Sequence, residues 1–401
     1  MTRDPFERPA TREFVLLFAS LGAFFLSISM LVPTLPLYVR DLGGDPVEVG
    51  LVAGIFSIGV LAVRPWVGKA VDTRGRRPLL ILGAITATLM APLYVVFPTI
   101  LALCVVRIVH GAGLSAYTTA TTTLVTDLSP ADRRTEYLGY LSTGSILAFA
   151  FGPPIGIEIA ERAGWSWLFL AAGACAAVSV GCGAALARVP RPDHGDGPVD
   201  YRKALLRREV VIPTATLLLV TLVHGGVFTF LPIRLEETLA FNLGFFFLAY
   251  SGASLVVRLV AGRISRAWGD GPMVWGGLAI YALGVALLPL IRDPVTLLLG
   301  ASALGVGFGV YQPAVYGLVA NAASDRTRGM VFSVFLGAFD LGIALGGLAS
   351  GPVVAAAGIP ALLLALAVVP LLAAILFVGA MGWRPEPQAP VVVAPAEAGV
   401  P

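Results

Sequence analysis

Asp340 stands in the run FLGAFDLGIALGG, with no Lys or Arg within a helical turn on either side. A charge at membrane depth costs several kcal/mol and marks a functional position by default. A carboxyl withdrawn from water can take up a proton and give it back, because low dielectric disfavours its charged form. Asp340 is therefore the first candidate for a proton carrier, against the plainer role of a neutral Asp bonded to a backbone carbonyl. His224, inside TLLLVTLVHGGVFTF, has the same chemistry and is the second. Arg107 lies about eight residues into its apolar run, too deep to reach water easily. It is open to helix packing or to a cavity, where it would meet substrate or the proton-bearing carboxylate. His110 shares its helix face, being three residues on, and a lone neutral ring there is as well served by one hydrogen-bond partner. Tyr311 and Gln312 supply donors beside a bend at Pro313 and are read as cavity groups. Arg64 and Arg258, near the ends of their runs, are read as snorkelling to the surface.

None of these side chains sits at the spacing of a nucleophile with its base, so no catalytic residue and no enzyme activity is expected. No metal or cofactor is expected either. Cys175 and Cys182, seven residues apart, are separated by about 10 Å of helical rise, beyond the reach of a disulfide, and Cys104 is alone. The single Gly-Lys pair, Gly68-Lys69, lacks the upstream glycine of a phosphate loop.

A second concentration of charge is GKAVDTRGRRP, residues 68–78. Gly68 and Asp72 are four residues apart and share a helix face. The glycine admits a second helix closely, and Asp72 can pair with Arg76. Asp127 ends another run on the same side, so Asp72, Arg76 and Asp127 are expected to form a charge cluster that locks one face. The plainer alternative is a positive anchor at the membrane edge.

These groups need helices to hold them. The chain is 57% apolar and 13% charged, about half the charged share of a soluble protein, and its mean hydropathy is +0.87. Twelve runs are long enough to cross a bilayer: 14–39, 47–68, 78–97, 99–126, 135–158, 165–187, 210–233, 242–265, 272–291, 294–320, 328–354 and 359–382. Outer-membrane barrels are excluded, because no ten-residue alternating segments occur. The first run is too long for a signal peptide and has no small-residue cleavage site after it. The fold class is an all-α membrane protein, with twelve transmembrane helices in two pseudo-symmetric six-helix bundles. Residues 1–187 form the first bundle, 188–209 a cytoplasmic linker with a short helix near Tyr201–Arg208, and 210–382 the second bundle. The Pro- and Ala-rich tail, 383–401, is expected to be disordered.

The duplication shows as an offset of 194 residues. Arg64, Gly68, Gly75, Gly111, Gly113 and Gly152 match Arg258, Gly262, Gly269, Gly305, Gly307 and Gly346. Gly342, Gly346, Gly347 and Gly351, with Ala148, Gly152 and Gly156, set small residues at four-residue spacing as packing seams. Of the 27 basic residues, those in the tails, at 68–77, at Arg133 and Arg134, in the linker, and at Arg263, Arg266, Arg326 and Arg328 share one side. The other side has Arg40, Arg162, Arg234 and Arg292 with eight acids. By the positive-inside rule the first side is cytoplasmic, with both termini. The net charge of +3 thus reflects topology, and nucleic acid is not an expected partner.

Three motifs resemble the major facilitator superfamily, over all twelve spans. Gly68, Asp72, Gly75, Arg76 and Arg77 resemble its loop between helices 2 and 3, with Thr73 where Arg is usual. Arg107, Gly111 and Gly113 resemble its Arg-x-x-Gln-Gly-x-Gly segment, with His110 in place of Gln. Gly152, Pro153 and Gly156 resemble the Gly-Pro-x-x-Gly segment of its proton-driven exporters, with Ile157 replacing a glycine. The resemblance implies a secondary transporter in the inner (plasma) membrane, exchanging a small molecule for protons by alternating access. Proton-coupled uptake of a sugar or other metabolite on the same fold is the alternative. Its expected partners are a small-molecule substrate, protons and the lipid bilayer.

Overall fold

Lipid offers the backbone no hydrogen bonds, so apolar runs of this length must satisfy themselves as helices. The structure is a computed structural model that describes residues 11–129, 134–187, 201–238, 243–323 and 327–382. Its helices are α1 (Thr11–Asp41), α2 (Pro46–Arg74), α3 (Arg76–Val96), α4 (Ile100–Leu128), α5 (Arg134–Ala163), α6 (Trp165–Ala185), α7 (Tyr201–Leu205), α8 (Arg208–Thr238), α9 (Gly244–Trp268), α10 (Asp270–Leu287), α11 (Pro294–Ala322) and α12 (Arg328–Met381). All but α7 are long and apolar enough to span a membrane. Side chains such as Leu101 and Leu259, 79% and 76% exposed, suit a lipid solvent. The short α7 falls where the linker was expected to carry one. The rest of that linker, 188–200, and the tail from 383 lie outside the described residues.

Helix ends follow local chemistry. Asp45 and Glu48 cap each other's backbone N–H at the start of α2, at 2.8 and 2.9 Å, and Asp293 caps α11 with Thr296. Where one helix must stop and the next begin at once, the chain uses glycine at positive φ. Gly75 (φ 93°) separates α2 from α3, and Gly269 (φ 81°), 194 residues on, separates α9 from α10. Gly164 (φ 88°) parts α5 from α6, and its counterpart Gly358 (φ 79°) breaks α12. A side chain at such φ is strained. Thus α12 is two limbs, 328–357 and 359–381, and the chain crosses twelve times.

The repeat also governs packing. Helices α2 and α3 lie on α4, as α9 and α10 lie on α11; α1 packs on α5 and α6, as α8 packs on α12. A Cβ at Gly111 would meet the Phe56 carbonyl at 2.1 Å, and one at Gly305 would meet the Tyr250 carbonyl at 2.2 Å. These partners are again 194 residues apart. The two groups of helices meet where α2 runs against α12, α5 against α9, and α1 against α8.

The first limb of α12 carries two glycine faces. Gly342 and Gly346 seat it on α8, where added Cβ atoms would lie 2.0 Å from Thr221 Oγ1 and from the Leu222 carbonyl. Gly347 and Gly351 seat it on α2, against Gly54 N (2.9 Å) and the Pro46 carbonyl (2.6 Å). This contact across the groups is tightest at the face where α1 joins α2, here called the acidic face. At that same face Arg40 at the end of α1 pairs with Glu236 at the end of α8, at 2.5 Å. Towards the opposite, basic face α2 and α12 diverge. Gly68, expected to admit a close helix, has no atom within 4 Å of where its Cβ would stand. The close approaches fall instead at Gly50 and Gly54, about four to five turns away along α2, because the helices are clamped at that end.

Candidate functional site

Asp340 lies on the limb of α12 that faces α2. Gly337, one turn away, lets Leu61 Cδ1 come within 3.6 Å of a built Cβ, so the two helices are still near each other at this level. Arg64 extends across the remaining gap, and its Nη2 donates to Asp340 Oδ2. The two side chains are only 16% and 11% exposed. Arg64 therefore does not snorkel, and Asp340 does have a basic partner; it comes from another helix, 276 residues away in sequence.

The counterpart of Arg64 behaves alike. Arg258 on α9 donates through Nη2 to Gln312 Oε1 on α11. Tyr316, one turn beyond Gln312, stands within electrostatic reach of Gln312, Arg258, Asp340 and Arg64. Its ring meets Phe335 edge-on at 4.9 Å. Arg64, Asp340, Tyr316, Gln312 and Arg258 thus link α2, α12, α11 and α9 through polar groups inside the membrane. The Nε of each arginine is buried without a hydrogen-bond partner.

The other expected cavity groups are elsewhere. Tyr311 is fully buried, its hydroxyl 3.1 Å from Thr216 Oγ1 and its backbone packed on Gly277. Adjacent helical residues point about 100° apart, so Tyr311 enters the core while Gln312 enters the cluster. His110 is also fully buried, with Nδ1 2.9 Å from the Tyr94 hydroxyl. Arg107 donates to the carbonyls of Val52 and Ala53 at 3.1 and 3.4 Å, and its guanidinium carbon lies 4.1 Å from the centre of the Phe56 ring. It borders a small cleft with Leu31, Leu35 and Val49. By helical rise it is about 10 Å from the acidic-face end of α4, whereas Asp340 is about 18 Å from the basic-face end of α12. In helices about 43 Å long these are different levels, so Arg107 and Asp340 do not share a site. His224 is half-buried among aromatic rings, stacked on Phe228 at 4.1 Å, with Nδ1 3.0 Å from the Tyr281 hydroxyl.

At the basic face Arg76 Nε lies 2.8 Å from Asp127 Oδ2, tying the start of α3 to the end of α4. Both helices belong to the same group, and Asp72's side chain is outside what the structure describes. Gly152 and Gly156 form the seam of α5 on α1, with Pro153 buried beside them. A Cβ at Gly152 would overlap Ser29 Oγ at 1.9 Å, and one at Gly156 would meet the Met30 carbonyl at 2.7 Å. Among the described residues no cluster of His, Cys, Asp or Glu is arranged to hold a metal ion.

Three elements escaped the sequence: the Arg64–Asp340 pair, the Arg258–Gln312–Tyr316 group and the Arg40–Glu236 bridge. The one available signal was that Arg64 and Arg258 occupy the same place in the repeat.

Twelve crossings, a doubled packing pattern and polar groups at the join of two helix groups describe a transporter, and comparison with known proteins agrees. The family model of the Major Facilitator Superfamily matches residues 17–291 and 239–400. The chain belongs to that superfamily. It is a multi-span membrane transporter of small molecules. Quinolone resistance protein NorA of Staphylococcus aureus (strain MRSA252) is 24% identical over 332 residues, 79% of this chain and 83% of that protein. A multi-drug resistance efflux pump PmrA homolog of Lactococcus lactis subsp. lactis (strain IL1403) is 25% identical over 348 residues, 81% of this chain and 84% of that one. A bacterial homolog of the human lysosomal transporter Spinster, solved in an inward-facing and occupied conformation, has a TM-score of 0.77 at 15% identity, covering 96% of this chain and 99% of that one. That likeness concerns the fold.

Proposed function

We propose that this transporter exports a small molecule across the plasma membrane in exchange for protons, with Asp340 as the proton carrier and Arg64 as its partner. The observation that carries the reading is the ion pair itself. It joins α2 to α12, one helix from each group, inside the membrane. Export is supported by relatives named as a quinolone resistance protein and a multi-drug efflux pump.

The mechanism follows from the geometry. While Asp340 is ionised it holds Arg64, and the pair belongs to the state closed at the acidic face. With the basic face cytoplasmic, as the Arg and Lys distribution indicates, this is the inward-facing state, in which the proton has been released and substrate loads. After the helices rock, Asp340 is reached from outside and takes a proton; the pair is lost and Arg64 is freed. Gly68 and Asp72 continue the α2 stripe that includes Gly50, Gly54, Leu61 and Arg64, at steps of three, four or seven residues. They therefore meet α12 when the basic face closes, with Arg76 and Asp127 holding the turn behind them. His224 is the reserve candidate for proton transfer.

The test uses inside-out vesicles with an acidified lumen and a quinolone as probe. Wild type accumulates the probe. Asp340→Asn loses accumulation but keeps probe exchange at equal pH, and Asp340→Glu keeps part of both. In detergent, wild type releases protons on binding and Asp340→Asn releases fewer. Equal proton release by the two excludes Asp340 as the carrier, and depletion of the probe from the lumen shows uptake rather than export.

A further inference from the structure

Arg258 poses an electrostatic problem that Arg64 does not. Both guanidiniums lie at equivalent positions of the repeat, inside the membrane and largely out of water. Arg64 has the carboxylate of Asp340. Among the described residues no Asp or Glu lies within ion-pair distance of Arg258, whose one side-chain partner is the neutral amide oxygen of Gln312. Its Nε has no acceptor. A guanidinium cannot shed its proton, and a buried charge without a counter-charge is among the costliest features a helix bundle can hold. A Leu or Gln would serve packing there at less cost.

From this we infer that Arg258, with Gln312 and Tyr316, forms the anion subsite of the substrate path, and that the substrate bears a carboxylate or an equivalent organic anion. Arg258 supplies a forked donor that matches a carboxylate edge. The Gln312 amide, now accepting from Arg258 through Oε1, keeps its N–H₂ to donate, and the Tyr316 hydroxyl adds a second neutral polar group. Phe332, half-buried with its ring centre 6.2 Å from that of Tyr316, gives an apolar flank for the remainder of an amphipathic molecule, backed by the buried Phe335. The position also explains an economy of charge. Two arginines and one aspartate leave one positive charge in the cluster, which a bound anion neutralises. Substrate and proton then act on neighbouring cations, Arg258 and Arg64, joined by Tyr316.

The inference rests on the transport reading in taking this cluster as part of the substrate path. Its test uses equilibrium binding without any gradient, so it stands or falls separately from proton coupling. Purified full-length protein in detergent is titrated with a panel of aromatic carboxylates and their matched carboxamides, 2-naphthoate and 2-naphthamide first, and binding is read by quenching of tryptophan fluorescence. Wild type binds the carboxylates about tenfold or more tighter than the amides, the ratio expected of a charge-assisted over a neutral hydrogen bond. Arg258→Gln brings that ratio close to one, chiefly by weakening the carboxylates, and Arg258→Lys retains part of it. Comparison of the two probe classes on wild type is decisive even if a variant fails to fold. Equal binding, a preference for the amides, or no carboxylate binding by wild type overturns the inference. So does discrimination that survives Arg258→Gln.

Discussion

Removing either partner of the Arg64–Asp340 pair should not cost the same. Both side chains are less than a fifth exposed, so solvent screens neither well. Asp340→Asn leaves a guanidinium that has lost its counter-charge and cannot become neutral; breaking a buried pair in this way costs about 3–5 kcal/mol. Arg64→Gln leaves a carboxyl, which escapes by taking a proton. What remains is an imperfectly bonded polar group, at about 1–3 kcal/mol. The expected gap is about 2 kcal/mol. In the double variant, Gln and Asn can bond to each other, and stability should return to within about 1 kcal/mol of wild type, because buried pairs contribute little net energy over neutral replacements. The assay is denaturation in detergent, with stability ordered wild type and double variant first, then Arg64→Gln, then Asp340→Asn. Because the escape of Arg64→Gln consumes a proton in the folded state, its stability should fall as pH rises, whereas Asp340→Asn should show no such added slope. Equal losses in the two single variants, or a larger loss for Arg64→Gln, would refute the buried-pair account.

Three further outcomes are expected. Gly342→Leu, whose side chain would overlap Thr221 and Leu218 within one helix group, should lower the melting temperature; Gly347→Leu, which meets Gly54 across the groups, should leave folding nearly intact and raise labelling of a cysteine placed at Val47 on the acidic face. The Arg40–Glu236 bridge is 32% and 48% exposed at its two ends, so Arg40→Gln should shift the balance of states by less than about 1 kcal/mol, roughly fivefold, and the shift should fade in 1 M salt, where the Debye length is about 3 Å. In a background without Cys104, Cys175 and Cys182, cysteines at Thr73 and Glu237 should react with an impermeant reagent from opposite sides of the membrane, and same-side labelling would overturn the topology.

The helices were legible because lipid turns hydropathy directly into secondary structure, and the turns were legible where a single glycine ends one helix and starts the next. The repeat was legible because Gly75 and Gly269 impose the same backbone at both ends of a 194-residue interval; the matching pair Gly164 and Gly358 came to light only in the structure. The partners of the polar side chains were not. Nothing local to Asp340 announces Arg64, since their encounter depends on how two distant helices lie side by side. Tyr311 and Gln312 show the same limit at closer range: one turns into the core and the other into the cluster, and neighbouring residues carry no mark of which does which. Gly68 fails differently. A conformation closed at the other end leaves that glycine without a neighbour, so a sequence that serves two states shows only one of them in any single structure.

The position of Asp340 along its helix bears on the proposal that a single proton shifts that choice of state. Asp340, Ala344, Gly347 and Gly351 follow one another at steps of four, three and four residues and form one stripe, whose upper members touch α2 through Gly54, Gly50 and Pro46. At the acidic end the stripe is all small residues and the two backbones touch, so separation there costs packing over several turns. Two turns further on, near Asp340, the helices have parted far enough that side chains span them: Arg64 reaches Asp340, and Leu61 packs over Gly337. Beyond them, at Gly68, there is none. On the proposed reading a proton delivered to Asp340 acts among the last contacts before the gap, where an interaction of a few kcal/mol weighs on whether the helices stay joined. Conformational states that interconvert in function differ by energies of the same size. Charge placed at the glycine end would compete with a whole packed seam, and charge placed beyond Gly68 would have no partner in this state to release.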